Sequence, residues 1–381
     1  MVKIGTRPNS RWTSAAQTMV VCVISLGLWS SNGFAADPRA DATNKGIVEL
    51  ETGGSSGISV RMAEDLAALV DDGATRRVLP VIGRTALQNV WDLVLLRGID
   101  MAILQQDVVD SARQKRSSPG LDSGFTYIAK LYDEEFHLLA GPGIKTVSDL
   151  GHRRVNFGLA GSGSSVTAGR VFDLLKIPVE PVNDRPELAL EKLRRGEIAA
   201  IALVAGKPSQ LLRGLPQDQG WHFIAIPVEE AVINIFVPTA LNAQDYPGLI
   251  PAGQQVDTIA VGSILAAARL QPGSDRYRNV SNFVDIFFTQ FRSLLEPGHH
   301  PKWRELNLAA EVPGLTRFPP AQQWLDRNMA VSKQNAPDVK TLFSKFLDTR
   351  QQAQEASAPV TDQQKQELFN QFQLWQSQQP R

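Results

Sequence analysis

Cysteine, net charge and long apolar runs are all scarce in this chain of 381 residues. The single cysteine, Cys22, lies in an N-terminal segment that we expect to be removed, so the mature chain would have no disulfide, thiolate nucleophile or cysteine-bound metal. The 39 basic side chains balance the 39 acidic ones and form no basic stripe, which argues against a nucleic-acid partner. The five histidines lack metal-ligand spacing and no complete nucleotide-binding fingerprint occurs, so the sequence predicts neither a metal site nor a cofactor.

Residues 1–35 have the pattern of a secretory signal peptide. Three basic residues precede an apolar run over residues 19–29, and the small residues Gly33 and Ala35 follow it. Because the run is too short to span a bilayer as an anchor, we expect cleavage after Ala35 and release into the periplasm. No later segment has the apolar length of a membrane span, so the mature chain is predicted not to cross a membrane.

Two Gly/Ser-rich junctions, residues 52–57 and 158–165, each lie where a strand-like run gives way to a helical pattern. A helix N-terminus carries unpaired N–H groups and partial positive charge, so each junction could hold a carboxylate or a phosphate. Ordinary turns between a strand and a helix use the same residues as N-caps, which is the competing interpretation. Neither junction contains Lys or Arg, which favours a small carboxylate over a polyphosphate. The candidate ligand-binding residues here are Gly54, Ser55, Ser56, Gly57, Gly161, Ser162, Gly163, Ser164 and Ser165.

Further candidates follow two other predicted strands. Gln105, Gln106 and Asp107 come directly after a strand, at the carboxyl end where ligand sites of α/β proteins gather. Asp107 could pair with a ligand ammonium group, or it could cap the helix that follows. Lys207 holds the corresponding place in the second half of the chain, where it could face a ligand carboxylate or be solvated.

The alternation of strand-like and helix-like segments predicts an α/β protein. A helix that ends in Arg-Gly and is followed by a strand occurs twice, over residues 87–104 and 188–203. Each copy follows its own Gly/Ser-rich junction, so we expect two similar lobes, each a mixed sheet flanked by helices.

Two strand-like segments, residues 135–140 and 231–237, end in turn residues and are predicted to connect the lobes as hinges. Glu134 and Glu135 precede the first connection, so a surface or hinge role competes with ligand contact for both. The predicted organisation is a signal peptide (1–35), lobe 1 (45–141 plus 238–330), an inserted lobe 2 (142–237) and a C-terminal helical, Gln-rich extension (331–381).

Several motifs in order over residues 45–330 resemble one family. They are the segments at residues 52–57, 105–107, 132–137, 147–164, 246–248 and 256–261. They resemble the TAXI group of TRAP-transporter solute receptors, which are periplasmic binding proteins of the type 2 fold. The resemblance implies a receptor that captures a small organic acid or amino acid, such as glutamate, and delivers it to a TRAP-type membrane permease. The family's first motif usually continues into Tyr-Tyr-Pro, where this chain has Ser59, Val60 and Arg61, so glutamate specificity is not carried over.

Two alternative functions remain open at this point. Gly53, Ser55 and Gly57 satisfy G-x-S-x-G, the nucleophile elbow of α/β-hydrolases. That elbow follows the first strand of the mature chain and no histidine–acid pair is specified for it, so we expect a receptor and not an enzyme. A periplasmic sensor that signals ligand occupancy to a membrane partner would have the same two lobes.

Overall fold

Ten strands pair into one mixed sheet in the computed structural model, which describes residues 45–335 apart from 55–56, 115–119 and 216–218. The predicted signal peptide, Ser55, Ser56 and the extension beyond residue 335 lie outside the described residues. The strands are β1 (Ile47–Thr52), β2 (Arg77–Ile82), β3 (Met101–Gln105), β4 (Phe125–Ala140), β5 (Arg154–Asn156), β6 (Glu180–Val182), β7 (Ala200–Ala205), β8 (His222–Phe223), β9 (Val237–Asn242) and β10 (Gln255–Ala268). The order along the sheet is β2-β1-β3-β10-β4-β7-β5-β6, with β8 beside β4 and β9 beside β10.

Helices cover both faces of this sheet. The main helices are α1 (Ile58–Val70), α2 (Ala86–Leu95), α3 (Gln106–Gln114), α4 (Gly163–Leu174), α5 (Pro186–Arg194), α6 (Asp275–Gln290) and α7 (Pro319–Asn335). Three of them begin at a side-chain cap, because the hydroxyl oxygens of Thr85, Ser162 and Ser274 each accept a backbone N–H from the first turn of α2, α4 and α6. No helix among the described residues is both long and apolar enough to cross a membrane.

The long strands β4 and β10 run side by side over part of their length and then pair with different strands. Their paired stretches 125–135 and 260–268 lie at the centre, and β10 also pairs with β3 through residues 263–267. Residues 135–140 of β4 go on to pair with β7, and residues 255–260 of β10 pair with β9. The register between β4 and β10 shifts where Gly262 faces Asp133 and Ile264 faces Lys130, so that Leu131 and Tyr132 form a bulge on β4 opposite Ser263.

Buried apolar side chains form separate cores on either side of that bulge. Residues 48–132 and 264–325 supply two of them, one on each face of the sheet, and we call this part the first lobe. Residues 136–261 supply the other two, and we call this part the second lobe. Phe283, Phe287 and Trp303 lie in the first lobe, and Phe136, Phe172 and Phe236 lie in the second.

The predicted α/β fold of mixed sheets flanked by helices is confirmed. Both predicted copies of a helix followed by a strand are present, as α2 with β3 and as α5 with β7. The predicted strand over residues 231–237 is wrong, because Glu230–Ile233 forms a helical turn and β9 begins only at Val237. The predicted domain boundaries stay a prediction. They assign residues 238–330 to the predicted lobe 1, whereas Leu241, Tyr246 and Ile259 pack in the cores of the second lobe as defined above.

Candidate ligand-binding site

A cavity of about 200 Å³ lies where the two lobes meet. The N-cap residues of three helices line it, Gly57 of α1 and Thr85 of α2 from the first lobe and Ser162 of α4 from the second. Its volume is below the roughly 300–1,000 Å³ of sites for drug-sized ligands, so the cavity suits a small metabolite. Because three helix N-termini bring partial positive charge to one space, the cavity favours a ligand with an anionic group.

The first junction is a tight turn that opens α1 toward the cavity. The N–H of Gly57 donates to the carbonyl of Gly54 at 2.9 Å, and the N–H of Gly53 donates to Ser59 Oγ at 3.0 Å. Gly57 provides no side-chain cap for α1. No side chain among the described residues caps the first N–H groups of that helix, which suits an anion-binding role.

In the second junction the serine oxygens are engaged by the backbone. Ser162 Oγ accepts the N–H of Ser165 at 3.2 Å, and Ser164 Oγ accepts the N–H of Val204 at 2.9 Å. A hydroxyl that accepts one hydrogen bond still carries its own hydrogen, so Ser162 and Ser164, which both line the cavity, can also donate to a ligand. Gly161 precedes them with φ +76°, a left-handed conformation that favours glycine.

The lobes are in contact on both sides of the cavity. The N–H of Leu87, in the first turn of α2, donates to the carbonyl of Gly161 at 3.1 Å. Gln105 of the first lobe fills the space beside Gly163 of the second, where an added Cβ would lie 1.6 Å from Gln105 Oε1. The structure therefore shows the two lobes closed over the cavity.

Among the described residues, two with charged side chains line the cavity, Arg84 and Glu134. Arg84 is exposed and follows β2 immediately before the cap of α2. Glu134 lies on β4 at the bulge, where its Oε2 accepts hydrogen bonds from Gln105 Nε2 at 2.9 Å and from Ser263 Oγ at 3.1 Å. Burial raises the pKa of Glu134 to about 7, because the low-dielectric surroundings disfavour the ionised form.

The structure brings together six of the predicted site residues that it describes. Those that line the cavity are Gly54, Gly57, Gln105, Ser162, Gly163 and Ser164. Gly161 and Ser165 lie directly beside them in the same turn, and Ser55 and Ser56 lie outside the described residues.

Three predicted site residues lie away from the cavity lining. Asp107 is buried in the first turn of α3, accepts the Thr167 hydroxyl hydrogen bond at 2.6 Å and does not line the cavity. Gln106 points at Gly262, where an added Cβ would lie 2.1 Å from its Oε1. Lys207 Nζ donates to the carbonyl of Ala240 at 2.6 Å, which directs it toward β9.

Sequence reasoning missed Arg84, Thr85, Asn89 and Ser263, all of which line the cavity. The first three follow β2, which neighbours β1, so the rule that ligands gather at carboxyl ends of strands could have indicated them. Ser263 had no comparable signal, because it comes to the cavity only through the long-range pairing of β4 with β10.

The described histidines lie outside this cavity. His137 Nε2 lies 2.6 Å from the Tyr246 hydroxyl, and His299 Nδ1 lies 3.1 Å from Asp65 Oδ1. Among the described residues no group of three or more His, Cys, Asp or Glu side chains is arranged to hold a metal ion. These two histidines therefore contact residues elsewhere in the protein and not the Gly/Ser-rich junctions.

Comparison with known proteins gives a family match. Residues 50–285 match the NMT1-like family. No curated protein matches the sequence.

Solved structures with a partly similar backbone include three binding proteins. A mutant of ArgBP from T. maritima is 12% identical, with a TM-score of 0.39 over 67% of this chain and 93% of that one. A TctC solute binding protein from Polaromonas is 15% identical, with a TM-score of 0.38 over 65% and 87%. The periplasmic aliphatic sulphonate binding protein SsuA from Escherichia coli is 17% identical, with a TM-score of 0.37 over 74% and 78%.

Proposed function

Because this chain belongs to the NMT1-like family, whose members are binding proteins and not enzymes, we propose that it is an exported receptor for a small carboxylate-bearing solute. The ligand is held in the 200 Å³ cavity between the lobes. The supporting observation is the convergence of three helix N-termini and Arg84 on that cavity, which provides donors and positive charge for one carboxylate.

Capture proceeds by closure of the two lobes. The lobes pivot where β4 and β10 run between them, at residues 133–135 and at the β4 bulge opposite Ser263, since within the described part of the chain the cores on either side share only these two strands. Closure places Ser162 and Ser164 opposite Arg84 and removes water from the ligand. Each polar contact is stronger once water has been excluded.

The receptor acts in the periplasm and passes its ligand to a TRAP-type membrane permease. Support for export comes from the signal-peptide pattern of residues 1–35, and support for the permease comes from the motifs shared with TAXI receptors. Sequencing of the mature N-terminus from a periplasmic fraction should give Ala36 as the first residue. Co-purification of a histidine-kinase sensor in place of a permease would favour the sensor alternative.

A thermal-shift screen of organic acids and amino acids against the mature chain tests the binding function. We expect at least one carboxylate to raise the melting temperature, and its affinity to fall more than tenfold in Arg84→Ala. Arg77→Ala is the matched control, because Arg77 is exposed at the opposite end of β2 and should leave affinity unchanged. Equal loss in both variants, or no loss in Arg84→Ala, would contradict the assignment of the carboxylate to this cavity.

A further inference from the structure

The adjacent carboxyl groups of Glu134 and Glu135 have opposite surroundings. Glu135 is buried and pairs with Lys302, whose Nζ lies 2.8 Å from Oε1. The N–H of Lys207 donates to Glu135 Oε2 at 2.8 Å, and Lys207 Nζ lies 4.0 Å from Oε1. The charge of Glu135 is therefore compensated inside the protein.

Glu134 has no such compensation. Both of its hydrogen bonds within the described part of the chain, from Gln105 and Ser263, reach Oε2 and come from uncharged donors. No Lys, Arg or His among the described residues forms an ion pair with Glu134. No described residue of any type donates a hydrogen bond to Glu134 Oε1. A carboxyl group on the wall of a ligand cavity, without a cation of its own, is placed to receive one from the ligand.

Asn89 lies on the same cavity wall, but neither amide atom is presented to the cavity. Its side chain is 1% exposed, and Nδ2 donates to the carbonyl of Thr52 at 2.7 Å, which fixes the orientation of the amide. The other amide atom, Oδ1, is buried and has no hydrogen-bond partner among the described residues. The cavity thus offers a vacant acceptor at Glu134 besides the donors near Arg84, whereas Asn89 Oδ1 lies beside Gly83, outside the cavity lining.

We propose that Glu134 is an ammonium-binding residue, so that the ligand carries a protonated amine as well as the carboxylate held by Arg84 and the helix N-termini. This assignment rests on the proposed receptor function and narrows the ligand to amino acids and related zwitterions. Asp107 was the carboxylate that the sequence offered as a partner for a ligand ammonium group. It accepts a hydrogen bond from Thr167 and is not on the cavity wall.

A competing possibility is a ligand that accepts a hydrogen bond from neutral, protonated Glu134. The two binding modes differ in the protonation state that Glu134 must have when the ligand is bound. The groups that act on Glu134 are its hydrogen-bond donors Ser263 and Gln105, which favour its ionisation, the carboxyls of Glu135 and Asp107, which disfavour it, and the Tyr132 phenol beside it; Arg84 lines the same cavity. An ammonium ligand requires ionised Glu134, so binding releases a proton below pH 7 and strengthens by up to about tenfold per pH unit toward neutrality. A ligand that accepts from the neutral acid takes up a proton above pH 7 and weakens as the pH rises.

Calorimetry with matched acids that differ only in the amino group tests the assignment. The pairs are glutamate and glutarate, aspartate and succinate, leucine and 4-methylpentanoate, and phenylalanine and 3-phenylpropanoate. We expect the amino member of at least one pair to bind more than tenfold tighter, and Glu134→Gln to abolish that preference while the des-amino acid still binds. Glu187→Gln, an exposed change on α5, should keep the preference.

A second measurement needs no variant and covers the case in which Glu134→Gln fails to fold. Titration of the unaltered protein at pH 6 in two buffers of different ionisation enthalpy should show proton release on binding of the preferred amino acid. Des-amino acids that bind as well as their amino partners, or the absence of proton release at pH 6, would overturn the ammonium site while leaving the carboxylate receptor intact. Absence of binding for every acid of the panel would contradict the receptor function itself, and the ammonium site with it.

Discussion

Thr167 donates its hydroxyl hydrogen to Asp107 across the interface of the two lobes, with 2.6 Å between Oγ1 and Oδ2. Thr167 lies on α4 of the second lobe and Asp107 at the start of α3 of the first, and both side chains are buried. Neither residue lines the ligand cavity. The bond therefore connects the lobes directly.

Replacement of Thr167 by valine should weaken closure without any change at the cavity wall. Valine keeps the shape but leaves Asp107 buried without its donor, at a cost of about 1–3 kcal/mol that opening of the lobes would relieve. We expect a larger radius of gyration by small-angle X-ray scattering and an affinity for the best carboxylate of the screen that is reduced about tenfold. Thr167→Ser retains the hydroxyl and should behave like the unaltered protein; a valine variant with unchanged scattering and affinity would show that the bond does not hold the lobes together.

Two glycines of α4 should respond in opposite ways to alanine. At Gly163 the new Cβ would collide with Gln105, which must then move and lose its 2.9 Å hydrogen bond to Glu134, so ligand affinity should fall. At Gly169 nothing lies within 4 Å of the added Cβ, and alanine should stabilise the helix by about 0.5–1 kcal/mol. Calorimetry and thermal unfolding of both variants check this; an affinity loss in Gly169→Ala equal to that in Gly163→Ala would show that the effect is not local to Gln105.

Local sequence patterns predicted the elements of this fold better than their long-range pairing. The junctions before α1 and α4 were recognisable because glycine, serine and helical periodicity coincide within a few residues. The first half of β4 and the role of β10 were missed, because a strand that pairs with partners in both lobes has no separate local signature. The same limit applies to the site: Ser162 and Gly163 were predicted from their junction, whereas Ser263 reaches the cavity only through the pairing of β10.

A buried carboxyl at the end of β1 should make the protein less stable as the pH rises. Burial, followed by the nearby Asp92 carboxyl, raises the pKa of Glu51 to about 8. A folded-state pKa above the unfolded value gives stability that is complete below about pH 4 and is lost as the pH rises toward 8. Glu51→Gln imitates the protonated form, so it should raise the melting temperature, by an amount that grows between pH 5 and pH 8.

Thermal unfolding at several pH values measures this effect. Glu64→Gln is the control, because Glu64 is exposed on α1 and should give a shift that changes little with pH. A Glu51→Gln variant whose shift is the same at pH 5 and pH 8 would show that Glu51 does not change its charge state in this range.

Asp65 connects α1 to the segment after α6 through several hydrogen bonds. Its Oδ2 accepts from the N–H of His300 at 3.0 Å and from Trp303 Nε1 at 2.9 Å, while His299 Nδ1 lies 3.1 Å from Oδ1. Burial alone would raise its pKa, but these hydrogen bonds, together with Arg61, hold the pKa of Asp65 below its usual value. The stability contributed by ionised Asp65 is therefore present above about pH 4 and is lost as the pH falls below it.

The change Asp65→Asn keeps the volume of the side chain but turns one acceptor oxygen into a donor. The amide nitrogen must take the place of Oδ2, where it meets the N–H groups of His300 and Trp303, or of Oδ1, where it meets Arg61 and His299. In either orientation the negative charge that these groups surround is lost, which should cost about 1–3 kcal/mol at pH 7. Urea unfolding measures the loss, with Asp285→Asn as the control, since the side chain of Asp285 is 67% exposed and lies 4.0 Å from Arg327. The difference in unfolding free energy between the two variants should shrink as the pH is lowered from 7 toward 3, because protonation then neutralises Asp65 in the unaltered protein as well. An Asp65→Asn variant as stable as the control at pH 7 would show that these hydrogen bonds add nothing to the stability of the fold.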